Sequence, residues 1–224
     1  MGIANPVSDG AVAALLDQTD LKAGERVAEL GCGNAEPARI MARRGLKVLA
    51  VDRGEAMVEL ARERVAEAGL SDAIKVVAGE AAAVAEREGP FRLIAALGTT
   101  QLGDFRQLAA WIAPGGWLLW GDIFWHHAPA VAASGLDYDT DEGWRHRGEE
   151  AGLELVTARI SPEAEWDAYV EALTTATAAW AMANPDDPAR AQIKARAAAL
   201  AALYGPASRT TLGFGLYLFR KPAL

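Results

Sequence analysis

Val27-Ala28-Glu29-Leu30-Gly31-Cys32-Gly33-Asn34-Ala35, followed after one helical stretch by Val48-Leu49-Ala50-Val51-Asp52, decides how this 224-residue chain folds. A β-like run that ends in Gly-x-Gly turns sharply, because glycine accepts backbone angles that a Cβ forbids. The same glycines let a ligand approach the main chain closely. Asp52 ends the next β-like run, where a carboxylate can accept hydrogen bonds from a ribose diol. A glycine-rich turn alone is weak; joined to a terminal acid one strand later, it points to a nucleoside-type ligand.

Outward from this pair, short β-like runs alternate with helical patterns, as a mostly parallel sheet requires. The runs are Arg26–Leu30, Lys47–Val51, Ile74–Ala78, Phe91–Ala96 and Gly116–Asp122. Helical segments are expected over Ser8–Thr19, Glu36–Arg44, Glu55–Ala68, Glu80–Glu86 and Gly103–Ile112, with Ser8 or Asp9 as the first N-cap. Pro114-Gly115-Gly116 reads as a turn before the fifth strand. Beyond Asp122 the pattern changes to a helix over Asp139–Ala151 and a strand over Leu153–Ile160. Two helices follow, Glu163–Ala183 and Pro188–Leu203, broken at Asn184-Pro185-Asp186-Asp187-Pro188. The alternation of Leu212, Phe214, Leu216 and Leu218 makes Thr210–Arg220 a last strand rejoining the sheet.

Composition narrows the function. Hydrophobic residues make up 51% of the chain, enough for one sizeable core, and no apolar run is long enough to span a bilayer. Met1–Asp9 has neither a basic start nor an apolar stretch, so a cytoplasmic location is expected. Cys32 is the one cysteine, and three histidines are too few and too poorly spaced for a zinc site, so no metal is expected. The 30 acidic residues outnumber the 22 basic ones, for a formal charge of −8. Long-range repulsion therefore argues against nucleic acid as a partner.

The loop itself argues about which nucleoside. A dinucleotide site uses Gly-x-Gly-x-x-Gly to seat pyrophosphate at a helix start. Here Asn34, Ala35 and Glu36 follow Gly33, the third glycine is missing, and Glu36 would oppose a phosphate. Glu29, ahead of the glycines, suits the ammonium of a methionine moiety, directly or through water. The residues favour S-adenosylmethionine over a nicotinamide dinucleotide.

The stretch from Arg26 to Trp125 resembles the class I S-adenosylmethionine-dependent methyltransferases. Glu29-Leu-Gly31-Cys-Gly33-Asn-Ala35 resembles their first motif, with Ala35 in place of the last glycine. Val51-Asp52-Arg53 with Met57 resembles the second, Val77-Ala78-Gly79-Glu80-Ala81 the third, and Ile112-Ala-Pro114-Gly115-Gly116 the segment ahead of the fifth strand. The resemblance implies a Rossmann-like α/β fold, seven strands in a mostly parallel sheet with helices on both faces. It also implies a cofactor set of Glu29, Gly31, Cys32, Gly33, Asp52, Arg53, Met57, Gly79, Glu80, Ala81, Leu97 and Gly98. In that set Met57 would pack near the adenine and Glu80 would contact its amino group.

Ala96-Leu-Gly98-Thr99-Thr100, Gly121-Asp122-Ile123-Phe124-Trp125, Trp166-x-x-Tyr169, Asn184-Pro185-Asp186-Asp187 and Gly213-Phe214-Gly215 are similar to a narrower bacterial subgroup of largely unassigned substrate. That likeness implies a helical hood, residues 161–208, inserted before the last strand into a cofactor-binding domain of residues 1–160 and 209–224. Thr99, Trp125, Trp166 and Tyr169 are its candidate acceptor contacts. His126 or His127, after the fifth strand, is a candidate general base. Each feature also has an ordinary reading: Glu80 as a helix-start acid favoured by the dipole, the aromatics as core, the histidines as an exposed loop pair. Cys32 has no base beside it in sequence and reads as filler.

The expected activity is methyl transfer to an oxygen or nitrogen of a small molecule. The alternatives are a cyclase or lyase acting on S-adenosylmethionine itself, or an inert cofactor-binding partner subunit. The hood fits a lid or a homodimer surface equally well.

Overall fold

The structure, a computed structural model, describes residues 2–127 and 138–223. Seven strands form one sheet in the order β3-β2-β1-β4-β5-β7-β6. They are β1 Arg26–Leu30, β2 Lys47–Asp52, β3 Ile74–Ala78, β4 Phe91–Leu97, β5 Ile112–Trp125, β6 Glu154–Ile160 and β7 Leu212–Arg220. β1 to β5 pair in parallel, and β7 runs antiparallel between β5 and β6. The strand order reverses between β1 and β4, and in open α/β sheets the ligand crevice lies at such a switch point, outside the carboxyl ends of the strands.

Strand alternation divides the core. Val27, Leu93, Leu119 and Phe214 pack on one face with α1 (Asp9–Leu16), α2 (Glu36–Ala42) and α3 (Glu55–Glu67). Ala28, Ile94, Trp120 and Tyr217 pack on the other with α4 (Ala81–Glu88), α5 (Phe105–Ala110) and α6 (Asp141–Glu150). Ser8 is the N-cap of α1, its hydroxyl accepting from Ala11 N at 3.1 Å. Helix α1 stops at Leu16, short of the expected Thr19, because Gln18 and Thr19 donate three residues back in a tightened turn.

The fifth strand corrects the sequence reading most. Pairing starts at Ile112 opposite Phe91 and resumes at Trp117 opposite Leu93. Pro114-Gly115-Gly116 is therefore a bulge within β5, not a turn ahead of it. Gly115 has φ +69°, and a Cβ on Gly116 would lie 2.9 Å from Arg92 O, so the bulge needs both glycines.

Between β6 and β7 stand α7 (Glu163–Ala183) and α8 (Arg190–Leu203), which pack on each other. Their junction is held by Asn184 Nδ2 to Trp180 O at 2.9 Å and Arg190 Nε to Ala181 O at 3.0 Å. The pair is mostly solvated: α7 buries Trp166, Tyr169 and Ala181, and α8 buries Ala197. Trp166 and Tyr169 join Tyr204 in the core, with ring centroids at 5.6 and 4.9 Å. Burying each such ring is worth about 2–3 kcal/mol, so these two anchor the hood. Among the described residues no helix is long and apolar enough to cross a membrane.

Candidate active site

The loop after β1 folds back on the end of β2, with Gly31 N and Cys32 N both donating to Val51 O, at 2.8 and 2.9 Å. Gly31 has φ +73°, and a Cβ there would lie 2.2 Å from Thr99 Cγ2, so the loops after β1 and β4 meet at this glycine. Gly33 has φ +50° and its N donates to Asp52 Oδ2 at 2.8 Å, yet nothing lies within 4 Å of where its Cβ would be. That open space over exposed backbone is what a ligand needs for close approach. Ala35, in the place of the family's last glycine, takes φ +57°, the one described non-glycine residue in the left-handed region.

Asp52 ends β2 with Oδ2 on Gly33 N and Oδ1 on Gly54 N, both at 2.8 Å. An ionised carboxylate has about four lone-pair sites, so two remain for a diol. Asp52 lines a crevice with Gly31, Arg53, Gly79, Glu80, Ala81, Gln101 and Leu102. Glu80 is exposed at the start of α4 and makes no capping bond, which leaves its carboxylate available. Met57 stands 42% exposed near Gly54, outside this lining. Gln101 and Leu102 lie on a short 3₁₀ turn that no sequence motif marks.

Two motif residues are used internally. Glu29 is buried, and its Oε2 accepts from Ala38 N of α2 at 2.8 Å. Burial pushes its carboxyl well above the usual range; the Ala38 bond opposes this, while the charges of Glu36 and Asp52 add to it. The interaction it makes here holds α2 against β1. Cys32 is buried as well, and burial, with the nearby charges of Glu29 and Asp52, pushes its thiol up, so it stays protonated and inert.

A second group of residues gathers at the ends of β4 and β5. Leu97 is buried, Gly98 is exposed with φ +67°, and Gly98 N donates to Gly121 O at 2.7 Å. Asn5 Nδ2 donates to Leu97 O at 3.3 Å, Asn34 Nδ2 donates to Gly2 O at 2.7 Å, and the Ser8 hydroxyl donates to Glu165 Oε1 of α7. Residues 2–8 thus run as a strap from the β1 loop past the β4 loop to the hood. Thr99 and Asp122 are buried here, and neither Thr99 Oγ1 nor Asp122 Oδ2 has a hydrogen-bond partner. Burial raises the Asp122 carboxyl to about 6, against the opposing effects of Ile123 N–H and the Thr100 hydroxyl. Nothing in the sequence around Asp122 marks it, because burial cannot be read from one strand.

The other candidates are spread more widely. Trp125 is half-buried against Tyr138, at 6.0 Å, while Trp166 and Tyr169 sit in the core described above. His126 and His127 are exposed and line a separate cavity with Phe124, Thr140, Asp141 and Ile160. That cavity shares no lining residue with the crevice at Asp52.

A glycine loop and a terminal carboxylate at the switch point of a parallel sheet define a nucleoside-binding α/β protein. Residues 27–116 match the family described as a methyltransferase domain. The uncharacterized protein YjhP of Escherichia coli K12 is 26% identical over 96% of this chain and 92% of its own length. Two solved structures share the fold, each at TM-score 0.79 and 24% identity. One is a SAM-dependent methyltransferase of Geobacter sulfurreducens, over 97% of this chain and 92% of that one. The other is from Thiobacillus denitrificans, over 97% and 93%, and both were solved with S-adenosyl-L-homocysteine. The chain thus carries a methyltransferase-domain match over residues 27–116 and shares its fold with two proteins solved with S-adenosyl-L-homocysteine.

Proposed function

We propose that the protein transfers a methyl group to an oxygen or nitrogen of a small molecule held between the β4–β5 edge and the hood. The cofactor supplies a methyl already activated on a sulfonium, so the chain has to bind, align and exclude water. Asp52 would take the ribose diol with its spare lone pairs, Glu80 the adenine amino group, and Gly31, Gly33 and Gly98 the close approach of the chain. Arg53, Met57, Gly79, Ala81, Gln101 and Leu102 would wall the nucleoside.

The observation that carries the small-acceptor reading is the strap of residues 2–8. It ties Asn34, Leu97 and Glu165 together over the edge where Thr99 and Asp122 are buried. A covered edge admits a small molecule more readily than a polymer. Trp166 and Tyr169 would then hold the hood in place as a lid.

Calorimetric titration with S-adenosylmethionine and S-adenosylhomocysteine, followed by an acceptor screen that reads S-adenosylhomocysteine, tests this. Binding of both, with S-adenosylhomocysteine formed only when an acceptor is present, is expected. Absence of binding at millimolar cofactor would overturn the reading, and methylthioadenosine formed without acceptor would point instead to a lyase or cyclase.

A further inference from the structure

Asp122 is 2% exposed at the end of β5, where its backbone lies opposite Gly215 of β7. Its Oδ1 accepts from Ile123 N at 2.8 Å, and its Oδ2 has no partner at full hydrogen-bond geometry, the Thr100 hydroxyl being the side-chain donor that acts on the carboxyl. Thr99, 3% exposed, follows the residue whose N–H is bonded to Gly121 O, and its hydroxyl is likewise unpartnered. Among the described residues no arginine or lysine acts on the Asp122 carboxyl. The charge of Asp122 in turn acts on the hydroxyls of Tyr138, Tyr204 and Tyr217. Tyr204 is fixed by Tyr169 and Trp166, and Tyr138 by Trp125.

A buried carboxylate without a cation and with an empty lone pair is costly, and such a group calls for a partner. An alcohol would give Oδ2 one hydrogen bond but leave the charge uncompensated. An ammonium gives the charge and several donors, enough for both Oδ2 and Thr99 Oγ1, and aromatic faces attract it. Charge compensation therefore favours a cation over a neutral acceptor.

Building on the methyltransferase reading above, we propose that the acceptor is a small amine bound as its cation. Asp122 is its counter-ion, Thr99 its second hydrogen-bond partner, and Tyr138 and Tyr204 its aromatic surround. An ammonium must lose a proton to expose its lone pair. Asp122 Oδ2 takes it: the N–H bond breaks, the electron pair stays on nitrogen, and the proton is held on the carboxyl until product leaves.

The test uses the full chain saturated with S-adenosylhomocysteine and two matched probe pairs, ethylamine with ethanol and benzylamine with benzyl alcohol, titrated by calorimetry. At least one amine is expected to bind at least about tenfold more tightly than its alcohol, and Asp122→Asn is expected to erase that preference while S-adenosylhomocysteine affinity stays within about twofold. Equal binding of amine and alcohol, no amine binding, or a preference that survives Asp122→Asn each overturn the proposal. Failure of S-adenosylhomocysteine to bind would instead overturn the cofactor reading beneath it. Should Asp122→Asn not fold, the carboxyl ¹³C resonance of Asp122 in the wild-type complex decides: movement on adding amine but not alcohol supports the proposal, and no movement overturns it.

Discussion

On the β1–β2 side of the sheet, the carboxyls of β1 and β2 are already held by main-chain amides, Glu29 by Ala38, and Asp52 by Gly33 and Gly54. Around the ends of β4, β5 and β6, three buried side-chain oxygens, on Thr99, Asp122 and Ser161, have no partner. The carboxyls of the first region have their partners without a ligand. The second carries an unmet demand. Preorganised amides lower the ordering cost of binding, whereas unpartnered polar atoms in a dry site make binding depend on the chemistry of what arrives. The difference is the one the proposed function requires, a fixed cofactor on one side and a selected acceptor on the other.

The most severe way to break the comparison is Gly31→Val. Left-handed strain and collision with Thr99 Cγ2 together cost at least about 4 kcal/mol, so cofactor affinity should fall by about a thousandfold or the loop should unfold. Calorimetry with circular dichroism separates these outcomes; unchanged affinity would contradict the loop geometry.

Asp122→Asn probes the other region through stability. The folded carboxyl titrates near 6, above its ordinary value of 3.8, so its charged form opposes folding. That penalty is fully present above pH 6, shrinks as pH falls, and is gone below about pH 4. It amounts to about 3 kcal/mol. Without ligands, Asp122→Asn should therefore be more stable than wild type at pH 7.5, with the advantage vanishing by pH 4. Glu29 shifts in the same direction but is common to both proteins, so the difference between their denaturation midpoints isolates Asp122. A gain independent of pH would contradict this account.

The smallest expected effect lies back at the glycine loop. Ala35→Gly relieves about 1–2 kcal/mol of left-handed strain but removes a fully buried methyl worth about 1 kcal/mol. Thermal denaturation should move by no more than a few degrees. A large loss would mean that the methyl supports the loop in a way the φ value does not reveal.

Much was legible in the chain because it is local. The Gly31-Cys32-Gly33 turn and terminal Asp52 follow from residues adjacent in sequence, and strand and helix periods are set by which face of one element is apolar. Pro114-Gly115-Gly116 reads as a turn in sequence because proline and glycine mark both turns and bulges, and strand pairing with Phe91 and Leu93 is what separates them. Gln101 and Leu102 entered the crevice unannounced, since a 3₁₀ turn of three residues carries no period to read.

By itself, then, the sequence determined the sheet-forming order of elements, the glycine loop and its distant carboxylate. Those depend on backbone freedom and on charge at strand ends. Only the tertiary structure decided which groups are denied water. It put Asp122 and Thr99 in a buried edge, sent His126 and His127 to an outer cavity, and placed Trp166 and Tyr169 in the core. Burial is a property of what packs on a residue from remote parts of the chain, here the strap and the hood, and no local pattern encodes it.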